Sequence, residues 1–169
     1  MALRNYMLIG AIGFLLNGIV AFFPVNAMTI LPLLLSIVAA IILSLFFYAY
    51  FQRTDDNLVK ISSIIGFVAY LIMLLGHLIT LIGMISVNPT IFSAASGVLL
   101  TADLILAIVL VLSAFRLIVL HNKDIVMVVL CGIVVVSLVI SIFVHVLFPV
   151  SMLGYGATLG YMFYRKLTL

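Results

Sequence analysis

Asp103 and His77 are the residues of this sequence best placed to move a proton. Asp103 interrupts the apolar run 91–120 and His77 the run 59–87, and no other acid stands inside such a run. Counted from Pro89, His77 lies twelve residues back and Asp103 fourteen residues forward. As helices, both positions fall roughly 18–21 Å from that turn, so two antiparallel neighbours would bring them level near the midplane. A buried carboxyl without a partner favours its protonated form, because desolvation penalises the charge, and an adjacent imidazole can share the proton, as relays inside membranes require. The favoured reading is structural: a satisfied pair that fixes helix register, or a neutral Asp103 bonded to Thr80, Thr101 or a backbone carbonyl.

Histidines on helices also suggest haem b, held by one axial imidazole from each of two helices, with His77 and His145 as the candidates. His145 stands four residues before Pro149, whereas His77 stands twelve before Pro89. That is a depth difference of about 12 Å, and two axial ligands must lie nearly level. The spacing therefore argues against a haem held within this chain, while a single ligand shared with a partner chain stays open. His121 lies beside Lys123, away from both. Met73 and Met84 read as soft packing residues, and Cys131, the only cysteine, as a buried filler. The sequence shows no metal-ligand spacing, no Gly-rich phosphate loop and no nucleophile–base arrangement, so the chain is not expected to be an enzyme on its own.

Helical spacing gathers the remaining polar residues into stripes. Tyr70, Met73, His77, Thr80 and Met84 share one face of the third apolar run, and Ser137, Ser141 and His145 recur every four residues on the fifth. Ser93, Ser96, Asp103, Ala107 and Ala114 do the same on the fourth, and Ser36, Ala40, Ser44 and Tyr48 on the second. Gly10, Gly13 and Asn17 mark the first, and Gly156 with Gly160 the sixth. Small and hydroxyl residues at this spacing let membrane helices approach closely, so the stripes are expected to point into a bundle.

The elements that carry these stripes follow from the polar breaks. Crossing the hydrocarbon takes about 20 apolar residues as a helix. The breaks leave six candidate spans, 6–23, 29–51, 59–87, 91–120, 125–148 and 150–164, the last being the shortest. The expected fold is all-α, a polytopic transmembrane bundle of about six spans in three hairpins, forming one domain over 1–169. All seven basic residues, Arg4, Arg53, Lys60, Arg116, Lys123, Arg165 and Lys166, then fall on one side. The opposite turns, at 24–28, 88–90 and 148–151, hold no charge. The positive-inside rule puts both termini in the cytoplasm. Tyr6, Tyr48, Tyr50, Tyr161 and Tyr164 gather at that face as an aromatic belt, and Pro24, Pro32, Pro89 and Pro149 collect at or near the other end. The first run is too long for an ordinary secretory signal and reads as a retained span. Related wording in the three outer turns would follow from a threefold duplication, or simply from the taste of turns for Pro, Asn and Ser.

Composition narrows the function classes. Of 169 residues, 68% are hydrophobic and 7% charged, and eleven charges cannot cover a soluble surface. The net charge of +3 is scattered, which excludes a nucleic-acid patch. Partners are expected to be membrane lipid and other integral subunits or further copies of the chain, with the cell membrane as the location. The leading expectation is a non-catalytic subunit of a larger membrane complex, respiratory or otherwise energy-transducing, packing against catalytic chains and lining a lipid or quinone pocket. A self-contained proton- or ion-coupled transporter or channel using His77 and Asp103 is the alternative, and a haem-binding electron-transfer subunit the third.

Overall fold

The computed structural model describes residues 3–23, 30–141, 143–144 and 147–167, with side chains from residue 5 onward. Among these residues all regular structure is helical: α1 (Leu3–Val20), α2 (Ile30–Arg53), α3 (Asn57–Ser86), α4 (Pro89–Leu120), α5 (Ile125–Ser141) and α6 (Phe148–Arg165). Three of them, α2, α3 and α4, are long and apolar enough to cross a membrane. The apolar stretches Asn5–Val20 and Ile125–Ser141 are shorter. α6 matches α1 in length at 18 residues but is diluted by Ser151, Thr158, three glycines and three tyrosines. The expected turn at 24–28 and His145 lie outside the described residues.

Side chains that satisfy the free amides of a first turn set where helices begin. Asp56 Oδ1 accepts the amides of Leu58 and Val59 at 3.0 and 3.1 Å, opening α3. Asn88 Oδ1 accepts the Thr90 amide at 3.0 Å, and Pro89 follows as the first residue of α4. Asp124 Oδ1 accepts the Met127 amide at 3.2 Å at the head of α5. Between α3 and α4 the chain reverses through Val87 at φ 51°, a left-handed conformation that a β-branched residue adopts only under strain.

The described prolines correct the expected boundaries. Pro32, Pro89 and Pro149 all lie in the first turn of a helix, where the missing N–H is harmless and the fixed φ is already helical. The third outer turn therefore precedes Pro149 rather than including it. α5 stops at Ser141 and α6 starts at Phe148, so 148–151 is helix and the fifth helix ends seven residues before the expected 148.

Each helix packs against the next, and α6 packs against α1, which closes the six into a ring. Neighbours run antiparallel: the Arg53 guanidinium at the end of α2 lies 4.8 Å from the Tyr6 ring near the start of α1. In the same way, Arg116 of α4 pairs with Asp56 ahead of α3, and Tyr161 of α6 bonds Asp124 ahead of α5. All three contacts lie at one end, here called the charged end.

Aromatic side chains fill the middle of the ring. Phe14 of α1 meets Tyr155 of α6 at 4.9 Å, Phe47 of α2 at 6.0 Å and Tyr70 of α3 at 6.1 Å, all edge to face. Met152, Leu106 and Leu110 complete a fully buried centre. Where α1 meets α6, the helices touch through glycine: a Cβ on Gly156 would stand 3.1 Å from Ala11 O and Leu15 N, and one on Gly18 would stand 3.1 Å from Pro149 O.

The ring is uneven in height. α2, α3 and α4 have 24, 30 and 32 residues, whereas α5, α6 and α1 have 17, 18 and 18. At about 1.5 Å per residue, α4 runs ~48 Å and its neighbour α5 ~26 Å. The two meet flush at the charged end, so the surplus of α4 stands clear at the other. Between 89 and 101 only Ala95 is buried. α3 covers one flank there, with Gly76 against Leu99 and Gly83 against Ile91.

Candidate functional site

Tall and short helices meet at a step, and Asp103 sits at its foot. A groove of about 590 Å³ runs between α4 and α5 to the first turn of α6. Asp103, Ala107 and Val111 line it from α4, Leu138 and Ser141 from α5, and Phe148 and Pro149 from α6. Asp103 thus lies level with the last residue of α5. Counting from Pro89 places it at mid-helix, because that count cannot see that α5 stops at Ser141.

Among the described residues the groove is apolar apart from the Asp103 carboxylate and Ser141. Ser141 Oγ is already committed, donating to Leu138 O at 2.7 Å. Thr80 and Thr101 are committed in the same way, to Gly76 O and Gly97 O, both at 2.9 Å, and neither reaches Asp103. Ser137 donates to Val134 O at 3.0 Å. Within a helix a hydroxyl finds the carbonyl one turn back before it finds another helix, which is why the stripes supply closeness and not a hydrogen-bonded network.

No hydrogen bond or ion pair joins His77 to Asp103. The His77 Nε2 is buried and has no hydrogen-bond partner among the described residues. Asp103 lies instead near the phenol of Tyr70, which is wholly buried, faces Asn17 of α1 and donates to Met152 Sδ at 3.9 Å. Of the stripe expected on the third span, Tyr70, Met73 and Thr80 are buried and His77 and Met84 half-buried. On α4 the stripe divides: Ala114 is buried, Asp103 and Ala107 half-buried, and Ser93 and Ser96 exposed above the step.

The charged end holds interactions that spacing alone did not reveal. Arg116 Nε donates to Asp56 Oδ2 at 2.9 Å, and Nη2 reaches the same oxygen. Tyr161 donates to both oxygens of Asp124, at 3.1 and 3.0 Å. An Asp immediately before an apolar run is a recognisable helix-start signal and could have identified Asp56 and Asp124 as caps, although not their partners across the ring. The Arg116 guanidinium holds the Asp56 carboxyl below its ordinary 3.8, the Val59 and Leu58 amides add to this, and burial opposes it. For Asp124, burial pushes upward, but the Met127 amide, Tyr161 hydroxyl and Arg165 charge together bring it below its ordinary value.

A depressed folded pKa for Asp56 means that its contribution is complete above the unfolded value and disappears as pH falls through the lowered one. Thermal unfolding in detergent should therefore show a difference between the native chain and Asp56→Asn that is constant from about pH 7 to pH 5 and shrinks below about pH 4. A difference that shrank on the alkaline side would contradict the assignment.

Among the described residues, no group of three or more His, Cys, Asp or Glu side chains could hold a metal ion. No protein-family model, curated protein or solved structure matches this chain.

Proposed function

We propose that the chain is a six-span integral membrane protein, with both termini cytoplasmic, that serves as a non-catalytic subunit of a larger membrane assembly. Energy-transducing complexes are the class of assembly this reading favours. The observation that carries it is the step: α4 rises about 20 Å beyond α5, and the flank facing that way is uncovered among the described residues. Ser93, Ser96, Gly97 and Leu100 continue there the line that Asp103 and Ala107 follow into the groove. Among the described residues nothing comes within 4 Å of where a Cβ on Gly97 would stand. Membrane helices associate through such close-approach surfaces, since lipid offers no hydrophobic gain to drive them together. The filled aromatic centre speaks against the transporter reading, because a polar solute needs a lined path and the ring axis is occupied by Phe14, Phe47, Tyr70 and Tyr155.

Gly97→Leu tests this directly. The open space around Gly97 predicts unchanged melting and monodispersity of the isolated chain. In extracts of the native membrane in mild detergent, the native chain should carry stoichiometric integral subunits and Gly97→Leu should lose them. A native chain that emerges alone, or a Gly97→Leu chain that keeps its partners, would refute the reading.

A further inference from the structure

Asp103 stands apart from the other three acids of the chain. Asp56 is paired with Arg116, Asp124 is held by Tyr161 and a backbone amide, and Asp55 is exposed at the charged end. Asp103 is half-buried and receives no hydrogen bond from the described residues, the Tyr70 hydroxyl near it being committed to Met152 Sδ, and it faces a groove whose other described walls are Leu, Ile, Val, Ala, Phe and Pro side chains plus one committed serine. A carboxylate surrounded by hydrocarbon is stable only with a complementary charge or donor beside it. Arg116, the nearest basic residue along α4, is thirteen residues away, or roughly 20 Å, and already engaged by Asp56.

Charge, volume and lining agree on what would complete the site. We propose that the groove between α4, α5 and the start of α6 binds a lipid-soluble organic cation, its apolar body against Ala107, Leu138 and Phe148 and its positive centre beside the Asp103 carboxylate. The space of about 590 Å³ lies within the roughly 300–1,000 Å³ range of small-molecule sites. Among the described lining residues its one ionisable group is an acid, whose negative charge a cation beside it would hold, so the site selects by sign as well as by shape. The described walls belong to this chain, with Leu100 shared between the groove and the flank assigned above to a partner subunit, so the test uses the purified chain alone.

Two ions of the same shape and opposite charge make the decisive comparison. Tetraphenylphosphonium and tetraphenylborate would be titrated calorimetrically into the purified chain in phosphatidylcholine nanodiscs, with empty discs subtracted. The expected result is saturable binding of about one phosphonium per chain and no saturable binding of the borate. Asp103→Asn, nearly isosteric, should weaken phosphonium binding by about tenfold or more, while Asp55→Asn leaves it unchanged. Ala107→Phe, which narrows the groove and keeps the carboxylate, should also weaken it. Size-exclusion profiles and melting temperatures matching those of the native chain establish that each variant is folded. Borate binding equal to phosphonium binding, or undiminished binding by folded Asp103→Asn, would overturn the proposal. So would a neutral quinone that displaces the phosphonium equally well from the native chain and from Asp103→Asn.

Discussion

Gly156→Leu should destabilise the folded ring by about 3 kcal/mol, near the upper end of what overpacking costs. Besides Leu15 Cγ at 3.0 Å, the atoms in the way are the carbonyl oxygen of Ala11 and the amide nitrogen of Leu15, both 3.1 Å from where a Cβ would stand. Backbone atoms of a packed helix cannot rotate aside as a side chain does, so α1 and α6 must separate along their seam. Gly10 and Gly66 make an informative contrast, because what crowds them are the side chains of Phe46 and Phe47. Unfolding titrations from mild detergent into a denaturing one would measure the loss. Gly132→Leu, at a position with nothing within 4 Å among the described residues, serves as the control and should fall within about 0.5 kcal/mol of the native chain.

Phe14→Ala should cost about 2–3 kcal/mol, less than the roughly 3–5 kcal/mol of the same change in a soluble core. The reduction has a physical cause. In water the penalty combines the lost transfer of the ring out of solvent with the cavity left behind. In a bilayer the unfolded helix keeps its side chains in hydrocarbon, so the transfer part largely vanishes and the packing part remains. That part is large here because Phe14 is fully buried and touches rings from α2, α3 and α6 at once. Ile12→Ala, on the outer face of the same helix at 51% exposure, should change stability by less than about 0.5 kcal/mol. Equal losses at the two positions would mean that Phe14 is not packed at the ring centre.

The antiparallel order of the helices was legible because it depends on local facts: charges at alternate breaks and apolar runs between them. Asp56, Arg116, Asp124 and Arg165 do meet at one end, as the charge pattern implies. The inward face of α3 was legible for the same reason, since Tyr70, Met73 and Thr80 repeat with the helical period. Closure of the ring was not. The contact of Gly18 and Gly156 with opposing backbone depends on two helices at opposite ends of the chain, and nothing near either glycine announces its partner. The surroundings of Asp103 were hidden for a related reason. Its depth was counted along its own helix from Pro89, while its environment is decided by where α5 ends and α6 begins. Ser93 and Ser96 share the spacing of inward-facing residues, but the helix that could cover them stops below.

Closing the ring between its first and last helices has a consequence for how the protein must be made. Of the six helices, the one bearing Phe14 leaves the ribosome first, and the one bearing Tyr155, its nearest ring partner, leaves last. Until then the aromatic centre lacks a wall, and the glycine surface of α1 faces whatever surrounds the growing chain. Neighbouring pairs such as α3 and α4 can assemble as they emerge, whereas α1 must wait for α6, the last of the six.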